Sequence, residues 1–271
     1  MNILNGKSFI FGLDDKILKI EKYCEKFLKE EKDNFRIIKK KFSIIPTFLF
    51  YGLPGTGKTT IANEVYKKLK KKYNIDLYFL QIDELISYNF GESSKNMRNF
   101  FEKIREEIKK NNSFAYIIID ELDSFTVNRY QNNNESIKRI LLTFNSIIDN
   151  FFQQEEFNKM IIVATTNMED SLDTSILRRF FFHENFNITL DKKEFFNFLN
   201  EINKILNCFH FKNTKDKLFE IYQKKKFTLG ELKTIFAHLY LEEKELNLKI
   251  LEEKESFFEM TQRERKEEKN V

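Results

Sequence analysis

The stretch GLPGTGKTT, from Gly52 to Thr60, decides the fold of this chain of 271 residues. It holds three of the chain's seven glycines and one of its two prolines. An apolar run, Phe48–Tyr51, precedes it, and apolar residues at helical spacing follow from Ile61 to Leu69. The stretch matches the phosphate-binding loop GxxxxGK[ST] in the strand–loop–helix context that the pattern requires. A flexible Gly-rich linker is the weaker interpretation in a chain so poor in glycine.

The chemistry of this loop predicts a nucleoside triphosphate as its ligand. Glycines let the backbone turn its N–H groups towards an anion, and the helix N-terminus adds the positive end of its dipole. Lys58 is expected to contact the β- and γ-phosphates, and Thr59 to offer its hydroxyl to Mg²⁺. The predicted loop contacts are Pro54, Gly55, Thr56, Gly57, Lys58, Thr59 and Thr60.

Two carboxylates close the next buried strand pattern. The run Tyr116–Ile119 is continuously apolar, as in a parallel strand buried on both faces, and Asp120 and Glu121 follow it. We expect Asp120 to bind Mg²⁺, directly or through water, and Glu121 to polarise the water that attacks the γ-phosphate. A strand followed by an ordinary polar turn is the alternative, which the phosphate loop makes much weaker. The acid pair favours hydrolysis over binding alone.

Polar residues also follow a third apolar run, Met160–Thr166. Asn167 comes at the carboxyl end of this predicted strand, where open α/β sheets place ligand contacts, and it could hold the attacking water. Arg178 and Arg179 come after a short helical pattern. From the residues alone they are either ordinary surface charge or fingers that offset transition-state charge at a neighbouring subunit's nucleotide.

In this order, the motifs resemble those of the AAA-family ATPases of the AAA+ superfamily. The resemblance runs from about residue 9 to about residue 240 and rests on GLPGTGKTT (52–60), IIIDELDSF (117–125), IIVATTN (161–167) and LDTSILRRF (172–180). It implies Lys58 and Thr59 as the phosphate and Mg²⁺ contacts, with Asp120 and Glu121 as the second acidic motif. It also implies Asn167 as the first sensor, and Arg178 and Arg179 as fingers that act in trans.

Two further glycines are implied as nucleotide contacts by this resemblance. Residues 9–13, FIFGL, are similar to the family's leading segment, whose backbone near the glycine, here Gly12, lines the adenine pocket. The family also places a Gly-containing helix start at the nucleotide, which Gly230 matches loosely, without a clear second-sensor arginine. A helix cap or close helix packing is the alternative role for Gly230.

The order of the patterns predicts an α/β fold: a P-loop NTPase-type parallel sheet with helices on both faces, followed by a small all-helical lid domain, as in an AAA+ module. A strand is predicted over 76–82, and helical stripes over 14–41, 95–110 and 137–152. The domains are predicted as 1–45, an N-terminal linker and helix; 46–189, the ATPase domain; 190–245, the helical lid; and 246–271, a charged C-terminal helix or tail. We expect the residues after 242 to form a surface helix that fades into disorder, with docking to a partner as the alternative.

The loop at residues 87–93, SYNFGES, bears on the substrate. In the AAA family the equivalent loop lines the pore of a hexamer, and its aromatic residue grips an unfolded polypeptide. Phe90 and the residues after it match, whereas the usual gripping position holds Asn89, with Tyr88 before it. Tyr88, Asn89 and Phe90 are the predicted substrate contacts. The alternative is a simple loop in which Gly91 turns into the next helix. The loop also weakly resembles that of the HORMA-domain remodelling ATPases.

Composition fits a cytoplasmic enzyme. The two cysteines, Cys24 and Cys208, lie far apart and give no disulfide framework. The three histidines are scattered and none stands in a metal-ligand motif, so no zinc site is expected. No apolar run approaches the roughly 18 residues of a membrane span, and the N-terminus shows no secretory signal. The formal net charge is only +4, with 46 basic and 42 acidic residues.

The expected function is therefore hydrolysis of ATP to ADP and phosphate with Mg²⁺, in a homo-oligomeric ring, expected to be a hexamer. Hydrolysis would drive remodelling, unfolding or disassembly of a protein substrate or a separately encoded partner protein. The alternative is a nucleic-acid-linked loader or motor. A DNA motor more often shows a strong basic stripe, and the lysines at 67–72 are predicted to lie on a solvated helix face.

Overall fold

The chain divides into two compact units. A computed structural model describes residues 10–29, 33–85, 91–124, 134–151, 159–167, 170, 172–207 and 214–268. The sheet unit comprises the described parts of Asp15–Gly52 and Lys58–Asn185, and the helical unit those of Met1–Asp14, Leu53–Gly57 and Phe186–Val271. The division is therefore not contiguous in sequence, since five residues of the phosphate loop and the segment around Gly12 group with the C-terminal helices.

Five parallel strands form the sheet, in the spatial order β2-β3-β4-β1-β5. Their bounds are β1 (Thr47–Tyr51), β2 (Ile75–Gln81), β3 (Phe114–Asp120), β4 (Met160–Thr166) and β5 (Phe182–Asn185). The central strands β3 and β4 are rich in isoleucine and buried along nearly their whole length, as strands covered on both faces must be. The expected α/β parallel sheet is confirmed.

The register of the strands aligns the segments that carry the motifs. Tyr51, at the end of β1, lies opposite Thr166 of β4. Ile119, near the end of β3, also lies opposite a residue of β4, Ala164. Because the strands are parallel, the residues that follow β1, β3 and β4 emerge at the same edge of the sheet, where ligands bind in open α/β folds.

Helices before and between these strands cover the sheet. They are α1 (Asp14–Leu28), α2 (Asp33–Lys41), α3 (Lys58–Lys70), α4 (Glu92–Asn111), α5 (Asn134–Phe151) and α6 (Thr174–Leu177), with a 3-10 helix at Ile82–Leu85. The helical pattern over 14–41 is thus divided between two helices. In α4 the predicted stripe is buried at Met97, Phe101, Ile104 and Ile108, a spacing that puts the four on one face.

The lysines at residues 67–72 are exposed or half-exposed, as the sequence predicted, and several of them also pair with carboxylates. Lys72 donates to Glu21 at 2.6 Å and to Glu25 at 2.7 Å, both on α1. Lys68 also pairs with Glu21, at 3.3 Å. The positive charge of this segment is therefore largely balanced by carboxylates of the same unit.

The helical unit has a core of its own. Its helices are α7 (Lys192–Leu206), α8 (Lys215–Lys225), α9 (Leu229–Leu241), α10 (Leu248–Glu253) and α11 (Phe257–Glu268). Phe195, Phe198, Tyr222 and Phe236 are among the buried residues that hold these helices together. Within the described ranges, none of the helices is at once long and apolar enough to cross a bilayer.

The charged C-terminal segment is helical as far as Glu268 and packs on the end of α8. The Ser256 hydroxyl donates to the Lys225 carbonyl at 2.6 Å, and Lys225 Nζ donates to Glu259 Oε2 at 3.2 Å. The expected helix is therefore present and continues to Glu268, and polar side chains at its first turn anchor it. A composition of Glu and Lys does not reveal such anchors.

Candidate functional site

Lys58, the first residue of α3, lies at the centre of the candidate site in the sheet unit. Its Nζ donates to the Gly52 carbonyl at 2.7 Å and to Asn167 Oδ1 at 2.8 Å. Only 7% of the residue is exposed. Burial lowers the pKa of Lys58 to about 8, from an ordinary value of 10.5, while the charges of Asp123, Asp120 and Glu121 oppose this fall. An ammonium group in such a place gains more from a bound anion than a solvated one does.

Asp120 ends β3 and accepts hydrogen bonds from two hydroxyl groups. Thr59 Oγ1, on α3, donates to Asp120 Oδ1 at 2.9 Å. The Thr165 hydroxyl, on β4, makes a short hydrogen bond to the same oxygen. The three residues come from three different elements, so their contact depends on the register of the sheet as well as on the loop. The predicted metal pair, Thr59 and Asp120, is brought together.

This donor set fits Mg²⁺. A hydroxyl and a carboxylate are hard oxygen ligands, and Mg²⁺ is usually held by one or two carboxylates together with substrate phosphates and water. Among the described residues, no three acidic, histidine or cysteine side chains cluster to form a complete protein cage for a metal. Thr59 and Asp120 would hold the ion only as part of a complex with phosphate.

Glu121 directly follows β3 and has a left-handed backbone conformation, with φ of 54°. Its N–H donates to Thr165 Oγ1 at 3.2 Å, and its carbonyl accepts from the Ser124 N–H at 2.9 Å. A left-handed conformation costs a non-glycine residue roughly 1–2 kcal/mol, so these hydrogen bonds offset a local strain. The residue is exposed. Glu121 is therefore fixed at its backbone, with its side chain accessible to solvent.

Asn167 follows β4 and is half-buried. Its amide oxygen accepts the hydrogen bond from Lys58, and its N–H donates to Asp123 Oδ1 at 3.4 Å. The proposed sensor thus touches the proposed phosphate-binding lysine directly. The structure joins Lys58 to Asn167 and Thr59 to Asp120 by hydrogen bonds, and the two pairs are near enough for the charges of Asp120 and Glu121 to act on Lys58.

Sequence reasoning missed two residues of this site. Thr165 joins Asp120 to the backbone of Glu121, and the buried Asp123 faces Lys58 and receives the N–H of Asn167. A polar residue just before the end of a buried strand was the available signal for Thr165. Asp123 lies in the polar segment after β3, where the sequence analysis assigned roles only to Asp120 and Glu121, and only the fold shows that Asp123 is buried.

The phosphate-loop residues of the helical unit are held by backbone geometry. Gly55 and Gly57 have φ of 73° and 92°, values that favour glycine. Thr56 Oγ1 donates to the Leu53 carbonyl at 2.8 Å, and the Leu53 N–H donates to Asn187 Oδ1 at 2.7 Å. Pro54 lies inside this loop, whereas Thr60 lies in the first turn of α3.

Gly230 packs directly against the phosphate loop within the helical unit. Its N–H donates to the Gly55 carbonyl at 3.1 Å, and a Cβ built on Gly230 would lie 2.3 Å from that oxygen. Gly230 therefore has the close-packing role that the sequence analysis gave as the alternative. The predicted contact of Gly230 with a nucleotide stays a prediction.

Gly12 occupies a turn beside the residues that follow β5. Its φ is 71°, and a Cβ added there would lie 3.2 Å from Leu190 Cδ2 and 3.4 Å from Ile188 Cδ1. Glycine is thus favoured by conformation and by space. Its expected place in an adenine pocket stays a prediction.

Arg178 and Arg179, which the sequence treats as a pair, differ in the structure. Arg178 is exposed. Arg179 is buried, pairs with Asp149 at 2.7 Å and donates to the Ser175 carbonyl. The Arg179 guanidinium is thus engaged within its own sheet unit, whereas Arg178 is exposed to solvent.

Tyr88, Asn89 and Phe90 lie outside the described residues. The next residue, Gly91, has φ of 78° and caps the N-terminus of α4. The turn into a helix expected at Gly91 is therefore present, and the predicted polypeptide contacts stay a prediction.

Comparisons with known proteins agree with this geometry. The sequence model of the family described as "ATPase family associated with various cellular activities (AAA)" matches residues 48–188. A proteasome-activating nucleotidase of Methanopyrus kandleri is 29% identical over 189 residues, which cover 68% of this chain and 40% of that protein. The peroxisomal ATPase pex6 of Schizosaccharomyces pombe is 34% identical over 133 residues, which cover 48% of this chain and 13% of that protein.

A solved structure shares the fold. A chain in the Escherichia coli MS115-1 HORMA:CdnC:Trip13 complex superposes with a TM-score of 0.64 at 16% identity, covering 78% of this chain and 74% of that one. The chain spans less than half the length of the first curated relatives it matches. Because the family model covers more than half of the 271 residues, and the motif residues meet in one site, the chain belongs to the AAA family.

Proposed function

We propose that this chain hydrolyses ATP with the help of Mg²⁺. The observation that carries the proposal is the site in the sheet unit, in which Lys58 is hydrogen-bonded to Asn167 and Thr59 to Asp120. Each of these contacts joins two residues from different motifs that lie at least 61 positions apart in sequence. Family membership and the names of the ATPase relatives support the same activity.

Lys58 would bind the phosphates of ATP. An ammonium group has three N–H donors, and two of those on Lys58 are directed to Gly52 and Asn167. These two bonds orient the side chain, and the positive charge of the ammonium group would attract a phosphate oxygen. Because the ammonium is buried, its interaction with the anion is weakly screened by water.

Glu121 would take the proton from the attacking water, and Asn167 would orient that water. A carboxylate with an accessible side chain on a fixed backbone suits a general base, since it must meet the water without moving the strand. The Asn167 amide is held beside Lys58 and hence near the phosphates. Mg²⁺, when bound with ATP at Thr59 and Asp120, would neutralise charge between the β- and γ-phosphates.

We propose a protein as the macromolecular substrate. Proteins named for proteasome activation and for a complex with a HORMA protein are similar in sequence or fold, which supports protein remodelling over action on nucleic acid. Lys68 and Lys72 pair with Glu21, and Lys67 and Lys70 pair with Glu64 and Asp76. Much of the positive charge of this segment is therefore already balanced, which disfavours binding to a phosphate backbone. Gripping of polypeptide by Tyr88 or Phe90 belongs to this proposal, as do a separately encoded partner and a cytoplasmic location.

We further propose that the active form is a homo-oligomeric ring, with a hexamer as the expected state. The exposed position of Arg178, two residues after the buried Ile176, supports a role at a neighbouring subunit's nucleotide. The guanidinium would offset charge that develops on the transferred phosphoryl group.

Phosphate release by the purified chain tests the proposal. The chain is incubated with ATP and Mg²⁺, alone, with a permanently unfolded protein, or with single- or double-stranded DNA. We expect Mg²⁺-dependent release that the unfolded protein stimulates and DNA does not, and no release from the Lys58→Ala variant. Stimulation by DNA alone would favour the nucleic-acid motor, and absence of release under every condition would contradict the ATPase proposal.

A further inference from the structure

Glu231 has a buried carboxylate that accepts two backbone N–H groups from distant parts of the helical unit. Its Oε2 accepts from the Thr228 N–H at 2.7 Å, and its Oε1 accepts from the Phe257 N–H at 2.7 Å. Only 5% of the residue is exposed. Because both partners are donors, each oxygen must accept, which a carboxylate does and an amide cannot. Glu231 therefore connects the start of α9 to the start of α11.

The start of α9 is also the segment that touches the phosphate loop. Thr228 and Glu231 form a capping box, with the Glu231 N–H donating to Thr228 Oγ1 at 3.2 Å. Between them lies Gly230, whose N–H donates to the Gly55 carbonyl. A Cβ on Gly55 would in turn lie 3.2 Å from Thr228 Oγ1. Because no side chain separates Gly230 from Gly55, a movement of the first turn of α9 has to shift the backbone of the phosphate loop.

The start of α11 is anchored independently of Glu231. Ser256 and Glu259 hydrogen-bond each other's backbone, and both also contact Lys225 at the end of α8. Lys226 Nζ lies 4.1 Å from the centre of the Phe258 ring. The helix is thus held both at the end of α8 and, through Phe257, at Glu231.

A cavity of about 460 Å³ within the helical unit has α11 as one wall and the phosphate loop as another. Phe258 and Thr261 line it from α11, and Leu53 and Thr56 line it from the loop. The same helix therefore faces the phosphate loop across this cavity and is connected to the loop through Glu231 and Gly230.

We propose that Glu231 is a positioning residue through which docking of α11 sets the conformation of the phosphate loop for nucleotide binding. The inference rests on the proposed ATPase function and adds a regulatory role for the C-terminal helix. With α11 docked, Glu231 holds the α9 cap, and the cap holds Gly230 against Gly55. Release of α11 removes one partner of the buried carboxylate, loosens the cap and weakens nucleotide binding.

Substitutions in the full-length chain test this coupling from both ends. Glu231→Gln keeps the shape but can satisfy only one of the two N–H groups, and Ser256→Ala weakens the α11 anchor without touching α9. Glu194→Gln is the matched control, because Glu194 completes the same type of capping box at α7, where no contact with the phosphate loop exists in the described structure. The readouts are the equilibrium Kd of a fluorescent ATP analogue with Mg²⁺ and the hydrogen exchange of the α11 amides in the nucleotide-free protein.

We expect Glu231→Gln to raise the Kd about tenfold and Ser256→Ala to raise it about threefold, with effects that are not additive in the double variant. Both should speed exchange in α11, and Glu194→Gln should change neither the Kd nor that exchange. Faster exchange in α11 with an unchanged Kd, in either variant, would overturn the coupling. If Glu231→Gln fails to fold, Ser256→Ala alone decides. Failure of the unmodified chain to bind nucleotide would contradict the proposed function itself, and the coupling with it.

Discussion

One side-chain hydroxyl, that of Thr165, connects the two carboxylate residues of the acidic motif. It donates to Asp120, the proposed Mg²⁺ ligand, and accepts from the N–H of Glu121, the proposed base. It thereby fixes both the rotamer of one residue and the left-handed backbone of the other. A strand pattern identifies Thr165 only as one more β-branched residue. Its role depends on β4 lying beside β3, which no local pattern reveals.

Thr165→Val should impair turnover more than folding. The change keeps the shape of the side chain but leaves the Glu121 N–H without this acceptor and Asp120 with one donor fewer. We expect kcat to fall about tenfold, which corresponds to roughly 1.4 kcal/mol, the size of one hydrogen bond to a charged group. Steady-state kinetics measure this, and Thr165→Ser, which keeps the hydroxyl, should restore most of the rate. Equal losses in the two variants would show that the methyl group matters and the hydroxyl does not.

Gly230→Ala should destabilise the helical unit, although replacing glycine by alanine usually stabilises a helix. In an open helix, replacing glycine by alanine gains up to about 1 kcal/mol. Here the new Cβ would lie 2.3 Å from the Gly55 carbonyl oxygen, so the loop has to move. We expect a lower melting temperature and weaker nucleotide binding. Gly91→Ala is the comparison, because a Cβ there meets nothing within 4 Å and only the backbone conformation is strained. A stabilised Gly230→Ala variant would contradict the close contact.

At the scale of elements, the sequence predicted the strands and helices that have a periodic burial pattern, and it missed a helix break and the docking of a helix. The isoleucine-rich runs predicted β3 and β4, and the stripe from Met97 to Ile108 predicted α4, because burial imposes a period on each. The break between α1 and α2 was missed, since both helices show similar apolar spacing. The docking of α11 was missed as well, since it depends on Ser256 and Glu259 meeting Lys225 in space.

The ion pairs of Glu21 on α1 with Lys68 and Lys72 should make the free energy of unfolding depend on pH in the acid range. Burial alone would raise the pKa of Glu21, but hydrogen bonds from Lys72 and Lys68 outweigh it and lower that pKa below the ordinary 4.5. Glu21 thus contributes stability above pH 4.5 that is lost as the pH falls through its folded-state pKa.

Glu21→Gln should therefore lower the free energy of unfolding at pH 7 by about 1 kcal/mol and flatten its decline in acid. Urea unfolding curves recorded at intervals of about one pH unit between about pH 3 and pH 7 give the free energy of unfolding and measure both effects. Glu64→Gln is the control, because Glu64 pairs only with Lys67 of its own helix among the contacts of the described structure. An unchanged acid decline in Glu21→Gln would contradict the assigned pairing.

At the scale of the whole molecule, the order of the motifs predicted the family and the sheet, and both are confirmed. The sequence predicted one continuous ATPase domain over residues 46–189. In the structure, residues 53–57 instead group with helices more than 130 positions later in the chain. Contacts such as that of Gly230 with Gly55 join segments that no sequence period relates. The proposed oligomer would likewise depend on surfaces, and Arg178 and Arg179 could be distinguished only once their burial was known.

Assembly should be visible in mixtures of inactive chains. Arg178→Ala should lower kcat about 1,000-fold, the effect of losing an arginine finger, without lowering stability. Mixing that variant with Lys58→Ala should restore part of the hydrolysis, because mixed interfaces then pair an intact nucleotide site with an intact arginine. Arg179→Ala should instead destabilise the chain, since it removes a buried side chain together with its contacts to Asp149 and the Ser175 carbonyl. Co-assembled mixtures that stay inactive would count against a finger in trans.

The most direct test of the central claim, that this site hydrolyses ATP with Glu121 as the base, compares binding and turnover in Glu121→Gln. Nucleotide binding is measured by equilibrium titration with Mg²⁺ and an ATP analogue, and turnover by phosphate release at saturating ATP. We predict an unchanged Kd, because Lys58, Thr59 and Asp120 remain in place, and a turnover reduced about 100- to 10,000-fold. Lys58→Ala should lose binding itself. Wild-type turnover in the Glu121→Gln variant would contradict the account.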